Sequence, residues 1–121
     1  MEKYNLKMGA LGESIAQKFL ENKRYKIIEK NYRNKYGEID LVCQKDDILV
    51  FVEVKTRKGE EFGTPEDAFK KEKIKRLIKN AQGYFKKSKV MLKSRIDAIC
   101  IVLDKDEKLK RISHYENITA T

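Results

Sequence analysis

Five apolar residues in succession, Ile48-Leu49-Val50-Phe51-Val52, lead directly into Glu53-Val54-Lys55. A run that apolar predicts a central strand, Ile48 to Thr56, covered on both faces. Side chains two apart on a strand share a face, so Glu53 and Lys55 project together. The preceding segment, Tyr36 to Gln44, alternates Ile39, Leu41 and Cys43 with Glu38, Asp40 and Val42, and Lys45-Asp46-Asp47 supplies a polar turn. These two strands are therefore expected to be antiparallel neighbours. Asp40 then meets Glu53 and Lys55 across the pair.

The flanking segments complete an α/β pattern. Leu11, Ile15, Ala16, Phe19 and Leu20 recur at spacings of three and four, which predicts a first helix over Gly9 to Lys23. Tyr25 to Arg33 reads as a strand, and Lys58 to Gly63 as a charged loop. Thr64-Pro65-Glu66-Asp67 has the composition of a helix start, with a Thr cap, a first-turn Pro and two acids. That helix is expected to reach about Lys87, burying Ala68, Phe69, Ile74, Leu77, Ile78, Ala81 and Tyr84 or Phe85, with Gly83 as a mild weakness. Arg95 to Leu103 is a fourth strand, and Leu109 to Ile118 returns as an edge strand. The order α-β-β-β-α-β-β predicts a mixed sheet flanked by helices. At 121 residues the chain has room for one domain, residues 1–121.

Charge narrows the partners. A formal net charge of +9 favours polyanions, nucleic acid first and an anionic membrane surface second, although a lysine-rich composition by itself also serves solubility. Met1 to Ala10 has no apolar signal segment, and no stretch is long and apolar enough to span a membrane. A cytoplasmic chain without a membrane partner is expected. Cys43 and Cys100 lie far apart in apolar runs and, with His114 as the one histidine, form no zinc pattern. They read as reduced core residues. His114 reads as a lone edge-strand histidine.

The convergence of Asp40, Glu53 and Lys55 is expensive unless it serves chemistry. Burying an unpaired charge costs several kcal/mol, and neighbouring carboxylates raise each other's pKa. A hard divalent cation, Mg2+ or Mn2+, resolves both problems, because it takes one or two carboxylates together with waters and substrate phosphate. Lys55 would then orient the attacking water, stabilise the transition state or accept a proton. The competing reading makes Glu53 and Lys55 an exposed pair on an edge strand and Asp40 part of a solvated face. An E-x-K tripeptide alone does not separate the two.

The wider pattern does carry a resemblance. Its residues are Gly9-Ala10-Leu11-Gly12-Glu13 with Ala16, Asn31-Tyr32-Arg33, Gly37-Glu38-Ile39-Asp40-Leu41, Val50 through Arg57, Phe62-Gly63-Thr64-Pro65, Lys73 and Arg95-Ile96-Asp97. Together they resemble the YraN-type uncharacterised bacterial proteins of the PD-(D/E)XK nuclease superfamily, which are similar to archaeal Holliday-junction resolvases. The resemblance implies a restriction-endonuclease-like core. It further implies that Asp40 and Glu53 hold metal, that Lys55 is the catalytic lysine, and that Glu13 is the helix-one acid completing the site. Ile39 stands where the superfamily motif has proline. The Gln-x-x-x-Tyr motif of the exonuclease-like branch is missing, since Gln82 and Tyr84 are too close.

Several residues have two readings. Glu13 is either a metal ligand or an acid near the start of its helix that favours the helix dipole. Glu38 assists Asp40 or pairs with a lysine. Asp97 is an accessory acid or the partner of Arg95. Lys73, Arg57, Lys58 and Arg33 are the candidate nucleic-acid contacts, since basic side chains bind the backbone without reading sequence. The function these features and the resemblance favour is a metal-dependent endonuclease acting on DNA more than RNA; the resemblance to resolvases, which work as two-fold dimers, adds branched or junction DNA and a homodimer as what it implies. The alternative is a non-catalytic nucleic-acid-binding module that retains the nuclease fold.

Overall fold

The computed structural model describes residues 2–88 and 93–119. Its elements are α1 (Glu2–Asn22), β1 (Lys26–Asn34), β2 (Gly37–Lys45), β3 (Ile48–Lys58), a short 3-10 turn (Pro65–Ala68), α2 (Lys71–Ser88), β4 (Lys93–Leu103) and β5 (Leu109–Tyr115). The five strands form one sheet in chain order, β1-β2-β3-β4-β5. Every neighbouring pair is antiparallel except β3 and β4, which run parallel and are joined by the crossover through α2. The mixed sheet with a helix on each face is a restriction-endonuclease-like core.

Strand β3 lies at the centre and alternates between two apolar layers. Val50 and Val52 face α1, where Ala16 and Leu20 pack with Leu41, Cys43, Ile99 and Ile101. Leu49 and Phe51 face α2, where they meet Leu77, Ala81 and the rings of Tyr84 and Phe85. The expected stripes of both helices are the ones buried. Helix α1 comes very close to β3: a Cβ on Gly12 would stand within covalent distance of Thr56 Oγ1, so only glycine fits there. Cys43 and Cys100 are free and buried, and burial pushes both thiols up to about 12.

Strand bounds shift by one or two residues from expectation, and three larger differences stand out, the last two set by tertiary contacts. Helix α1 begins at Glu2 rather than Gly9. The second helix is broken: Phe69 leaves helical geometry, with φ −96° and ψ 60°, and α2 proper starts at Lys71. The turn before the break is tied to the sheet's edge, because Arg111 on β5 grips Glu66 through two N–H donors at 2.7 and 3.0 Å and the Tyr115 hydroxyl donates to the same carboxylate at 2.7 Å. Helix α2 is thereby free to take its own line across the sheet. Strand β5 ends at Tyr115 rather than Ile118. Asn117 has φ 54°, and its N–H donates to Asp97 Oδ1 at 2.9 Å instead of joining the ladder. Among the described residues, no helix is long and apolar enough to cross a membrane.

Candidate active site

The hydrogen-bonded register of β2 and β3 runs from Lys45↔Ile48 to Leu41↔Val52 and stops there. The next pair would be Asp40 and Glu53. Instead Asp40 Oδ2 accepts the Val54 N–H at 2.7 Å, so a side chain replaces the main chain where the two strands part. The alternation of β3 places Glu53 on the α2 face, and its side chain is only 8% exposed. Glu53 Oε2 lies 2.5 Å from Lys73 Nζ, which α2 carries down to the sheet. Glu53 Oε1 is buried and has no hydrogen-bond partner.

Asp40 and Glu53 floor a cleft. Tyr36, Gly37 and Glu38 form one wall, and Lys73, Arg76 and Asn80 of α2 form the other. Burial, first, and then the neighbouring Glu53 carboxylate hold the Asp40 carboxyl well above the ordinary carboxylate range, against the Val54 N–H, which pulls it down. Lys55 shifts the opposite way. Burial and then the charges of Arg57 and Lys73 lower it, while Glu53 and Asp40 partly restore it. Lys55 lines an adjoining recess with Gly9, Glu13 and Arg57.

Glu13 forms the α1 side of that recess. Burial and the charges of Glu38 and Glu53 raise its carboxyl. Asn31 sits between Glu13 and Glu38. With its amide nitrogen turned toward them, it donates to Glu13 Oε1 at 3.1 Å and to Glu38 Oε1 at 2.9 Å. Glu38 also pairs with Arg33 at 3.4 Å, an arginine rather than the expected lysine. Sequence reasoning named Asn31 only within the family pattern and gave the cleft residues Arg76 and Asn80 no role at the site. The left-handed backbone of Asn31, φ 52°, is a signal that needs coordinates. Arg57 reaches the recess through β3, and Lys58 follows it as an exposed residue.

Asp97 is placed elsewhere, in a buried network on the α1 face. Its Oδ1 accepts from Arg95 Nε at 3.0 Å and from the Asn117 N–H, and its Oδ2 accepts from His114 Nε2 at 2.9 Å. Burial pushes this carboxyl up, but the hydrogen bonds from His114, Asn117 and Arg95 outweigh it and leave it lowered. His114 is therefore not partnerless. It bridges Asp97 to Lys23, whose Nζ is 2.9 Å from Nδ1, and it packs edge-on against Phe19 and Tyr25.

The residues of the cleft that bear on metal binding are Asp40 and Glu53. Among the described residues, no three Asp, Glu, His or Cys side chains are arranged to enclose a metal ion. The acids thus make a two-carboxylate floor, with Glu13 coupled to it through its charge. The profile of the uncharacterised protein family UPF0102 matches residues 12–101, a span that contains both carboxylates, both lysines and the close-packed Gly12.

The chain belongs to UPF0102. A UPF0102 protein of Syntrophomonas wolfei is 43% identical, covering 93% of this chain and 97% of its own length. One from Pelotomaculum thermopropionicum is 39% identical over 91% of this chain and 92% of its own. One from Caldanaerobacter subterraneus is 40% identical over 97% and 98%. The family is the YraN-type one that the motifs resemble.

Proposed function

We propose that the chain is a metal-dependent nuclease that hydrolyses phosphodiester bonds in DNA at the Asp40–Glu53 floor. The observation that carries the proposal is Glu53 Oε1, a buried carboxylate oxygen without a partner beside a second carboxylate whose ionisation is suppressed. Leaving such an oxygen unsatisfied costs about 1–3 kcal/mol or more. An all-oxygen pair of this kind fits Mg2+ or Mn2+, with waters and substrate phosphate supplying the remaining positions. Asp40 and Glu53 would hold the ion, and Glu13 would add charge or a water-mediated contact from the α1 side. When bound, the ion would polarise the phosphate and acidify water.

The protein's own groups supply the rest. Lys55, whose ammonium is disfavoured, is suited to orient a water and take its proton. Lys73 neutralises Glu53 in the free protein and is close enough to the cleft to take a phosphate oxygen instead. Arg76 lies at the α2 wall, Arg57 and Lys58 extend from the recess, and Arg33 pairs with Glu38 of the hairpin wall, so basic groups flank the floor. Branched or junction DNA cut by a two-fold homodimer in the cytoplasm is the most specific form of this reading.

The test is metal-stimulated cleavage across branched, flapped and linear DNA, with Asp40→Asn and Glu53→Gln beside the wild type. Full activity in either variant, after rigorous control for contaminating nucleases, would sink the proposal. The ion pair between Lys73 and Glu53 supports the second reading, a non-catalytic binding module, because an ammonium already balances one carboxylate. Calorimetry separates them. Mn2+ binding that vanishes in both variants favours the nuclease. Absence of binding even with uncleavable DNA present favours the module.

A further inference from the structure

The cleft does not end at the carboxylates. Tyr36 lines it and also lines a second groove, bounded by Tyr32, Arg33 and Lys35 of the β1–β2 hairpin and by Lys86 and Lys87 at the end of α2. The residues lining that groove include four basic side chains and no acid. One of the four, Arg33, is shared with Glu38 at 3.4 Å. Tyr36 stands at the junction with 40% of its surface exposed.

The junction is built rather than loose. Asn34 and Asn80 exchange hydrogen bonds: Asn80 Nδ2 donates to Asn34 Oδ1 at 2.7 Å, and Asn34 Nδ2 donates to the Asn80 carbonyl at 3.0 Å. The Tyr36 N–H donates to the same Asn34 Oδ1 at 2.9 Å. This clasp fixes the hairpin turn to α2. Gly83 permits it, since a Cβ there would be 2.7 Å from Asn34 Nδ2 and 3.8 Å from Tyr36 Cδ2. The mid-helix glycine that weakens α2 locally is thus where helix and hairpin close on each other. Lys35 Nζ lies 5.2 Å from the Tyr36 ring centroid, placing a cation at the ring itself.

We propose that this groove seats an unpaired nucleic-acid strand beside the scissile phosphate, with a base stacked on Tyr36 and the phosphates tracked by Lys35, Lys86 and Lys87. The inference rests on the nuclease reading for the word scissile and deepens it. The substrate class becomes DNA with a single-stranded stretch next to the cleavage point, such as a flap, an overhang or an opened junction arm. A duplex presents phosphates to lysines but keeps its base faces stacked internally. Only an unpaired strand uses a held aromatic ring and a basic track together.

The experiment is fluorescence anisotropy with a labelled oligothymidylate and a blunt duplex of the same length, in chelator so that no cleavage occurs. Wild type is expected to prefer the single strand. Tyr36→Ala should weaken that binding by about ten-fold while Tyr36→Phe keeps it, because stacking needs the ring and not the hydroxyl. Replacing Lys86 and Lys87 together by alanine should reduce the slope of log affinity against log salt by about 1.4. Wild-type affinity in Tyr36→Ala, or equal losses in the Ala and Phe variants, would overturn the inference. So would equal affinity of wild type for the two DNAs. Failure here is distinguishable from failure of the nuclease reading. Metal-stimulated cleavage with an indifferent Tyr36 removes only the groove, whereas Tyr36-dependent binding without cleavage leaves the groove standing as that of a binding module.

Discussion

Lys73 Nζ and Glu53 Oε2 are 2.5 Å apart, joining the first turn of α2 to the buried carboxylate of the central strand. The pair is asymmetric. Glu53 is buried, whereas Lys73 retains 36% of its side-chain exposure and can leave for solvent or for a phosphate. Its removal would leave Glu53 with neither oxygen satisfied, because Oε1 has no partner. Lys73→Met should therefore destabilise the metal-free protein by about 1–2 kcal/mol, a buried-pair penalty discounted for the solvent that screens Lys73. Denaturant melts in chelator measure this, and added Mn2+ should recover most of the loss.

Asp40→Asn is expected to act in the opposite direction. An amide keeps an acceptor for the Val54 N–H and gains a donor that can serve Glu53, while removing a carboxylate whose ionisation the site resists. A folded-state pKa above the unfolded one means that stability is full at low pH and is lost as pH rises through the folded value. At pH 8 in chelator, Asp40→Asn should equal or exceed wild type by about 1–3 kcal/mol. In saturating Mn2+ the order should reverse, since only wild type gains from binding the ion.

Asp97 sets the acid limb. Its folded pKa is depressed, so its contribution is present above the unfolded value and is lost as pH falls through the folded one. Wild-type stability should decline as the solution is acidified below the ordinary carboxylate range. Asp97→Asn should flatten that slope and cost about 1–3 kcal/mol at neutral pH, because Arg95 and His114 lose a charged acceptor. Metal binding at Asp40 and Glu53 should be unchanged in this variant, which a calorimetric titration would check.

Gly12→Ala should be poorly tolerated. The added methyl would overlap Thr56 Oγ1, and overpacking of this kind costs about 1–3 kcal/mol. Combining it with Thr56→Gly should recover part of the loss, and a double-mutant cycle of melts gives the coupling directly.

Much of the site follows from period-two arithmetic. Apolar residues up to Val52 make β3 central, and parity then puts Glu53 with Leu49 and Phe51 on one face. The turn at Asp46 and Asp47 makes β2 its neighbour, so Asp40 had to lie opposite. What could not be read is what depends on contacts distant in sequence. The ladder's end at Leu41↔Val52 is invisible in a pattern that continues past it. The break at Phe69 follows from Glu66 being held by β5, so the pattern of the segment itself still reads as one helix. His114 seemed alone because Asp97 and Lys23 reach it from another strand and from the end of α1.

The sheet's sequential strand order also has a consequence in time. A chain leaving the ribosome N-terminus first presents α1 and the β1–β2–β3 meander, with their short-range pairings, before α2 and β4 exist. Glu13, Asp40 and Glu53 all belong to that early segment, whereas Lys73 comes later. For that interval during synthesis, the nascent meander must carry its acids without Lys73, leaving Lys30, Lys55, protons and cellular cations as their counter-charges.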